Sequence, residues 1–399
     1  MLQISKRAME MPASAIRKLV PFSEAAEASG VKVYHLNVGA PDIKSPDCAT
    51  DAFIERGRQL HHVSYTHSAG LKELRQQMAD KYYQKNGLDV RADQLLITVG
   101  GSEAFSIAMQ IAAGPGDEII VVEPFYTNYQ TYAFLNGITL KAVHSDIREG
   151  FKVPDISEFE KLLTPATRAI LISNPCNPSG KLFTRDEILA MGKFCKAHDM
   201  FLICDEVYRE FCYTDEPFFS ALEIPGCEDN VIIVDSVSKR YNLCGARIGC
   251  IVSRNPEVMA CALKYAQARL CPPLLGQFAA IGALDTPASY FADVKDEYIR
   301  RRDCALKALN AMPGVYSPTP YGAFYTVAEL PVDDAGNFAK WLLTDFRLDS
   351  QTVMITPAAS FYKTPGAGLK QARIAYVLEV PQLQKAMEVL KEALRQYNA

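Results

Sequence analysis

The chain has 399 residues, 49% hydrophobic and 22% charged, the make-up of a soluble globular protein of about two domains. Its 42 Lys and Arg against 46 Asp and Glu give a formal charge of −4, without the cationic excess that nucleic-acid backbones demand. No apolar run approaches the ~18 residues that cross a bilayer, no secretory stretch follows Lys6 and Arg7, and eleven cysteines without a C-x-x-C pair indicate neither a disulfide framework nor a zinc site, so a cytoplasmic protein with no metal, nucleic-acid or membrane partner is expected.

Residues 1–45 lack regular alternation and read as an arm that joins the later part of the chain. From 46 to 285, short apolar runs alternate with helix-period segments. Leu95–Val99, Glu118–Val122, Thr139–Val143, Arg168–Ser173, Met200–Cys204, Val231–Asp235 and Arg247–Val252 read as strands, with helices over Glu103–Ala113 and Tyr126–Asn136. Continuous apolar character marks strands buried on both faces, and intervening helices imply crossovers and a mostly parallel sheet in an α/β domain. Thr184-Arg185-Asp186-Glu187 has the spacing of a capping box before a helix. Residues 286–399 change character. A long charged helix (Tyr290–Met312), short strands near Phe324–Val327 and Ile374–Val377, and a C-terminal helix predict a smaller α+β domain.

Ligands in open α/β sheets bind beyond the carboxyl ends of strands, so the residues after each apolar run are informative. After Val99, Gly100-Gly101-Ser102-Glu103 opens a helix whose N–H groups can cradle an anion, although such a turn by itself is common punctuation. After Ser173 comes the rigid Asn174-Pro175-Cys176-Asn177-Pro178-Ser179-Gly180; Gly180-Lys181 is no P-loop, because neither Ser nor Thr follows Lys181. After Cys204, Asp205-Glu206-Val207-Tyr208 ends a buried strand on a carboxylate that must be solvated, paired or functional. After Val234 come Asp235-Ser236-Val237-Ser238-Lys239-Arg240 and then Gly245-Ala246-Arg247. Ser236-x-x-Lys239 also matches serine β-lactamases, but Lys363-Thr364-Pro365 and Glu228-Asp229-Asn230 both depart from the companion K-T-G and S-D-N segments. In order, the four stops supply anion donors, a carboxylate, hydroxyl and amide donors, and a lysine. That is the inventory for pyridoxal 5′-phosphate (PLP).

The set N-P-x-N-P-[ST]-G, D-E-V-Y and S-x-S-K-x(7)-R resembles the fold-type I, class I/II aminotransferases of the aspartate aminotransferase superfamily. The likeness runs from Asn37-Val38-Gly39-Ala40-Pro41-Asp42 to Arg373. It implies the PLP-dependent transferase fold, with a mixed, mostly parallel seven-stranded sheet in the large domain, and a homodimer with shared active sites. By this resemblance Lys239 is the Schiff-base (internal aldimine) lysine, Asp205 the carboxylate on the pyridine nitrogen, and Tyr208 and Asn177 the donors to the ring's phenolic oxygen. Gly101, Ser102, Ser236, Ser238 and Arg247 fall where phosphate binds, and Tyr126 where an aromatic ring stacks on the cofactor. Tyr65 matches the tyrosine that reaches the neighbouring subunit's phosphate, while Arg373, with Gly39 and Asn177, lies where the substrate α-carboxylate is held.

The implied activity is ping-pong amino transfer between an L-amino acid, expected to be aspartate, and a 2-oxo acid, expected to be 2-oxoglutarate. Aromatic or kynurenine-type transfer and PLP-dependent β-lyase chemistry are the alternatives; a ligand-sensing module is a third, disfavoured by the retained Lys239. Some bacterial aspartate enzymes carry a Lys where this chain has Ser102, so the second carboxylate of aspartate needs another cation. Arg240, His67 and Arg269 are the candidates.

Overall fold

All seven apolar runs form strands in the computed structural model, which describes residues 2–12, 14 and 16–399. The strands of the chain are β1 (Lys32–His35), β2 (Leu95–Thr98), β3 (Glu118–Glu123), β4 (Thr139–His144), β5 (Thr167–Ser173), β6 (Phe201–Asp205), β7 (Val231–Ser236), β8 (Gly249–Val252), β9 (Tyr325–Glu329), β10 (Gln351–Met354), β11 (Thr356–Pro357) and β12 (Gln371–Ala375). The large sheet has the order β2-β8-β7-β6-β5-β3-β4, and only β8 runs antiparallel to its neighbours. Successive side chains alternate between its faces. Ile97, Ile170, Leu202 and Ile233 pack into one apolar layer, and Leu96, Leu171, Ile203 and Ile232 into the other. Full burial of each such side chain contributes about 1.5–3 kcal/mol, so two covered faces account for runs without polar positions.

Two of the boundaries that differ from the sequence reading bear on the site. β8 starts at Gly249 rather than Arg247, because Arg247 adopts φ 53°, a left-handed conformation that breaks the extension. The helix expected from Glu103 starts at Gly100, so Gly-Gly-Ser is its first turn. The capping box forms as read: Glu187 N–H donates to Thr184 Oγ1 (3.2 Å), and Thr184 N–H to Glu187 Oε2 (2.7 Å).

The N-terminal segment is tied to the far end of the chain. β1 pairs in parallel with β10, Lys32 opposite Gln351 and His35 opposite Met354. β9, β12 and β11 form a small antiparallel sheet, covered by the helices Ala288–Asn310 and Val380–Tyr397. One apolar cluster unites Leu36 with Tyr298, Phe324, Phe338, Ile374 and Leu390. The carboxyl ends of β2, β3, β5, β6 and β7 therefore share one edge, and residues following β1 and on β12 face it. Among the described residues no helix is long and apolar enough to cross a membrane.

Candidate active site

A cavity of about 890 Å³ opens at that edge. It gathers Gly39, Gly101, Ser102, Tyr126, Asn177, Asp205, Tyr208, Ser236, Ser238, Lys239, Arg247 and Arg373. Of the cofactor- and substrate-binding residues that the resemblance implies, Tyr65 lies elsewhere; it is 79% exposed, outside the cavity.

One end is built for an anion. Gly100, at φ 72°, brings the helix N-terminus against Arg247, and a Cβ there would lie 2.4 Å from Arg247 Nη2. The first-turn amides have no partner within the helix and carry its positive dipole end. Across from them, Ser236 Oγ lies 2.8 Å from Ser238 Oγ and 2.9 Å from Ile248 O, while Arg247 Nη1 donates to Cys244 O (3.0 Å). A guanidinium, two hydroxyls and a helix N-terminus are the donor set of a phosphate monoester.

Beyond it lies Asp205, 3% exposed at the end of β6. Tyr129 OH donates to Oδ2 (2.8 Å) and Val207 N–H to Oδ1 (3.2 Å), both neutral groups. Burial pushes this carboxyl up to about 7, against which those two hydrogen bonds pull only part of the way. A carboxylate with buried neutral partners suits a cationic ring nitrogen. Lys239 Nζ donates to Gly39 O (2.7 Å) and lies 3.8 Å from Cys244 Sγ.

The third element is Arg373, 1% exposed on β12. Its Nη1 donates to Asn177 Oδ1 (2.9 Å), its Nη2 to Asn37 O, and its Nε has no partner. Tyr325 and Phe361 flank the guanidinium, with centroids at 4.5 and 5.3 Å, and no described carboxylate pairs with it. Gly39 is required here, since a Cβ would fall 1.6 Å from Tyr325 OH.

Asn177 thus offers its carbonyl to Arg373, and Tyr208 OH lies 3.0 Å from Tyr325 OH. Tyr126 accepts from Asn128 Nδ2 (2.9 Å), and burial raises its phenol to about 12.

The expected cations for a second carboxylate are a correction. Arg240 is buried, its Nη2 donating to both carboxylate oxygens of Asp235 (2.8 and 2.7 Å) and its Nε to Glu210 (2.8 Å). Arg269 is held by Glu103 (2.9 Å) and Ile97 O (3.1 Å), and His67 Nδ1 accepts from Ala69 N–H (3.1 Å) within a turn. None of the three lines the cavity. Tyr129, Tyr325, Asn37 and Arg17 escaped the sequence reading. Tyr129 stands one helical turn after Tyr126, and Asn37 opens a segment already singled out; Tyr325 and Arg17 carry no local signal.

The sequence model of the class I and II aminotransferases matches residues 31–390. An aspartate aminotransferase of Thermotoga maritima is 29% identical, covering 98% of this chain and 99% of its own. The aspartate aminotransferase of Thermus thermophilus solved with maleate superposes with a TM-score of 0.89 at 27% identity, covering 98% of this chain and 100% of that one. An alanine aminotransferase from Pyrococcus furiosus does so equally, with a TM-score of 0.89, 28% identity, and 99% and 100% coverage.

Proposed function

Because the chain belongs to the class I and II aminotransferases, a PLP-dependent family, we propose that this cavity moves the amino group of an L-amino acid to a 2-oxo acid by a ping-pong mechanism. When bound, PLP supplies an electron-accepting ring that lets the substrate Cα proton leave. Arg247, Ser236, Ser238 and the Gly101 and Ser102 amides would hold its phosphate, and Asp205 its ring nitrogen. Asp205 stays ionised beside a cation, and this keeps a proton on that nitrogen. Tyr126 covers the ring, and Tyr208 with the Asn177 amide group faces its phenolic oxygen. Lys239 is the amine that anchors the cofactor and moves the proton at substrate Cα as general acid–base. Arg373 orients the α-carboxylate through two parallel hydrogen bonds beside the Gly39 backbone, a geometry that Lys could not reproduce. The observation carrying this reading is Arg373: a buried guanidinium without a carboxylate, opening on the same cavity as Lys239 and Asp205.

The substrate pair in this reading is aspartate with 2-oxoglutarate. Equal likeness to an alanine aminotransferase makes alanine the competitor to measure. Values of kcat/KM for aspartate, alanine, tyrosine and kynurenine against 2-oxoglutarate decide it; aspartate should lead at least tenfold, which is about 1.4 kcal/mol. Comparable values overturn the aspartate assignment and leave transamination standing. The protein works in this reading as a cytoplasmic homodimer. Support comes from Tyr65 and Val63, which are 79% and 68% exposed and suit a partner subunit. Lys239 and Arg373 share one chain's cavity, so the complementing variants are Lys239→Ala and Tyr65→Ala: each should be weak alone, and mixed chains should regain activity at one intact site. Absence of recovery despite subunit exchange contradicts shared sites.

A further inference from the structure

Among the described residues, four cationic side chains line the cavity: Arg17, Lys239, Arg247 and Arg373. Asp205 is its only carboxylate among the described residues. In the transamination reading, on which this inference rests, a phosphate engages Arg247 and an α-carboxylate engages Arg373, while Lys239 does the chemistry. Arg17 is left over, a full positive charge at the cavity with no anionic partner among the described residues. Ser102, on the wall, is neutral, and Arg240, Arg269 and His67 are held elsewhere.

Arg17 is also placed to be used. Its N–H donates to Ser14 O (3.1 Å), and its carbonyl accepts from Val20 N–H (3.0 Å), forming a turn just before the helix Val20–Ala28. Leu19 plugs that turn into the apolar cluster shared with β1 and β10. The backbone is thereby anchored while the guanidinium stays exposed, free to meet an incoming group. An exposed ion pair is weak, but one that substrate carries out of water is strengthened.

We infer that Arg17 is the specificity-determining residue for substrates with two carboxylates, receiving the second carboxylate while Arg373 takes the first. A substrate with one carboxylate would leave Arg17 unpaired, so discrimination follows from a charge present in one class and missing in the other.

The test uses holoenzyme of the wild type, Arg17→Ala and Arg17→Lys. Half-reactions with aspartate and with alanine are followed by the change in the visible cofactor band, so that no second substrate intervenes. Succinate and butyrate, equal in chain length but differing by one carboxylate, are titrated by the same band. The ratio of kcat/KM for aspartate to that for alanine should fall ten- to hundredfold in Arg17→Ala, and the preference for succinate over butyrate by a similar factor; Arg17→Lys should restore part of both. Unaltered ratios in an active enzyme overturn the inference alone, as do equal losses for both classes. A wild type inactive with aspartate and alanine but active with tyrosine or kynurenine overturns this inference alone, and one that transaminates none of the four overturns the underlying reading with it.

Discussion

Below and above the turn that carries Lys239, the protein buries charge in opposite ways. Below, Asp235 accepts at both carboxylate oxygens from Arg240 Nη2, and also from Tyr83 OH (2.9 Å) and Ser236 N–H (2.7 Å). Arg240 also binds Glu210 and lies 3.7 Å over the Tyr82 ring, and Tyr82 OH returns to Glu210 (2.5 Å). Every charge there meets its opposite. Above, Asp205 has neutral donors only and Arg373 has neutral acceptors only. Buried charge that is paired within the chain fixes a loop. Buried charge that is left unpaired carries a desolvation cost which an external ligand of opposite charge can offset. In the function proposed above, the lower cluster belongs to the fold and the upper groups to the reaction.

Substitutions on the two sides should separate these roles. Asp205→Ala should lower kcat on the order of 10⁴-fold, about 5.5 kcal/mol, because the ring nitrogen loses its counter-charge; its denaturation midpoint should hold, since a costly unpaired carboxylate has gone. Arg240→Ala should do the reverse. It strands Asp235 in the core and should cost about 3–5 kcal/mol in denaturant titration. Equal loss of stability in the two variants would erase the distinction.

Titration sharpens the contrast. In cofactor-free protein, Asp205 at about 7 retains a proton that the unfolded chain, near the ordinary 3.8, releases. Stability should therefore fall as pH rises from about 4 to about 7 and then level off, by up to about 4 kcal/mol for this group. Glu206, also pushed up to about 7 by burial, adds to the slope, so Asp205→Asn should flatten it only in part, as should loading with PLP. A profile insensitive to Asp205→Asn contradicts the unpaired carboxylate. The smallest effect belongs to Tyr129→Phe. Losing one hydrogen bond to Asp205 should reduce kcat about tenfold, near 1.4 kcal/mol, with the melting temperature little changed.

The legibility of the sequence follows the same division. Strands buried on two faces leave apolar runs, and the residues that close them, Gly101, Asn177, Asp205 and Ser236, stand where an open α/β sheet places ligands. Arg373 was reached through family resemblance alone, because β12 meets the cavity only once the chain has folded back. Pairings across long separations left no local trace. Arg240 looked available in sequence because Glu210 lies 30 residues away, and Asp235 only five residues before it gave no hint of direction. Arg17 sat in a segment without periodicity, and its place at the cavity depends on β1 pairing with β10 across the length of the chain.

The central claim is that Lys239, between the paired and the unpaired charges, is the amine on which the chemistry runs. Borohydride reduction of the purified, PLP-loaded protein followed by peptide mapping tests it most directly. The visible band should bleach and a single phosphopyridoxyl group should appear on the peptide containing Lys239, with Lys239→Ala showing neither. A label on any other lysine, or none in a protein that still transaminates, would contradict the account.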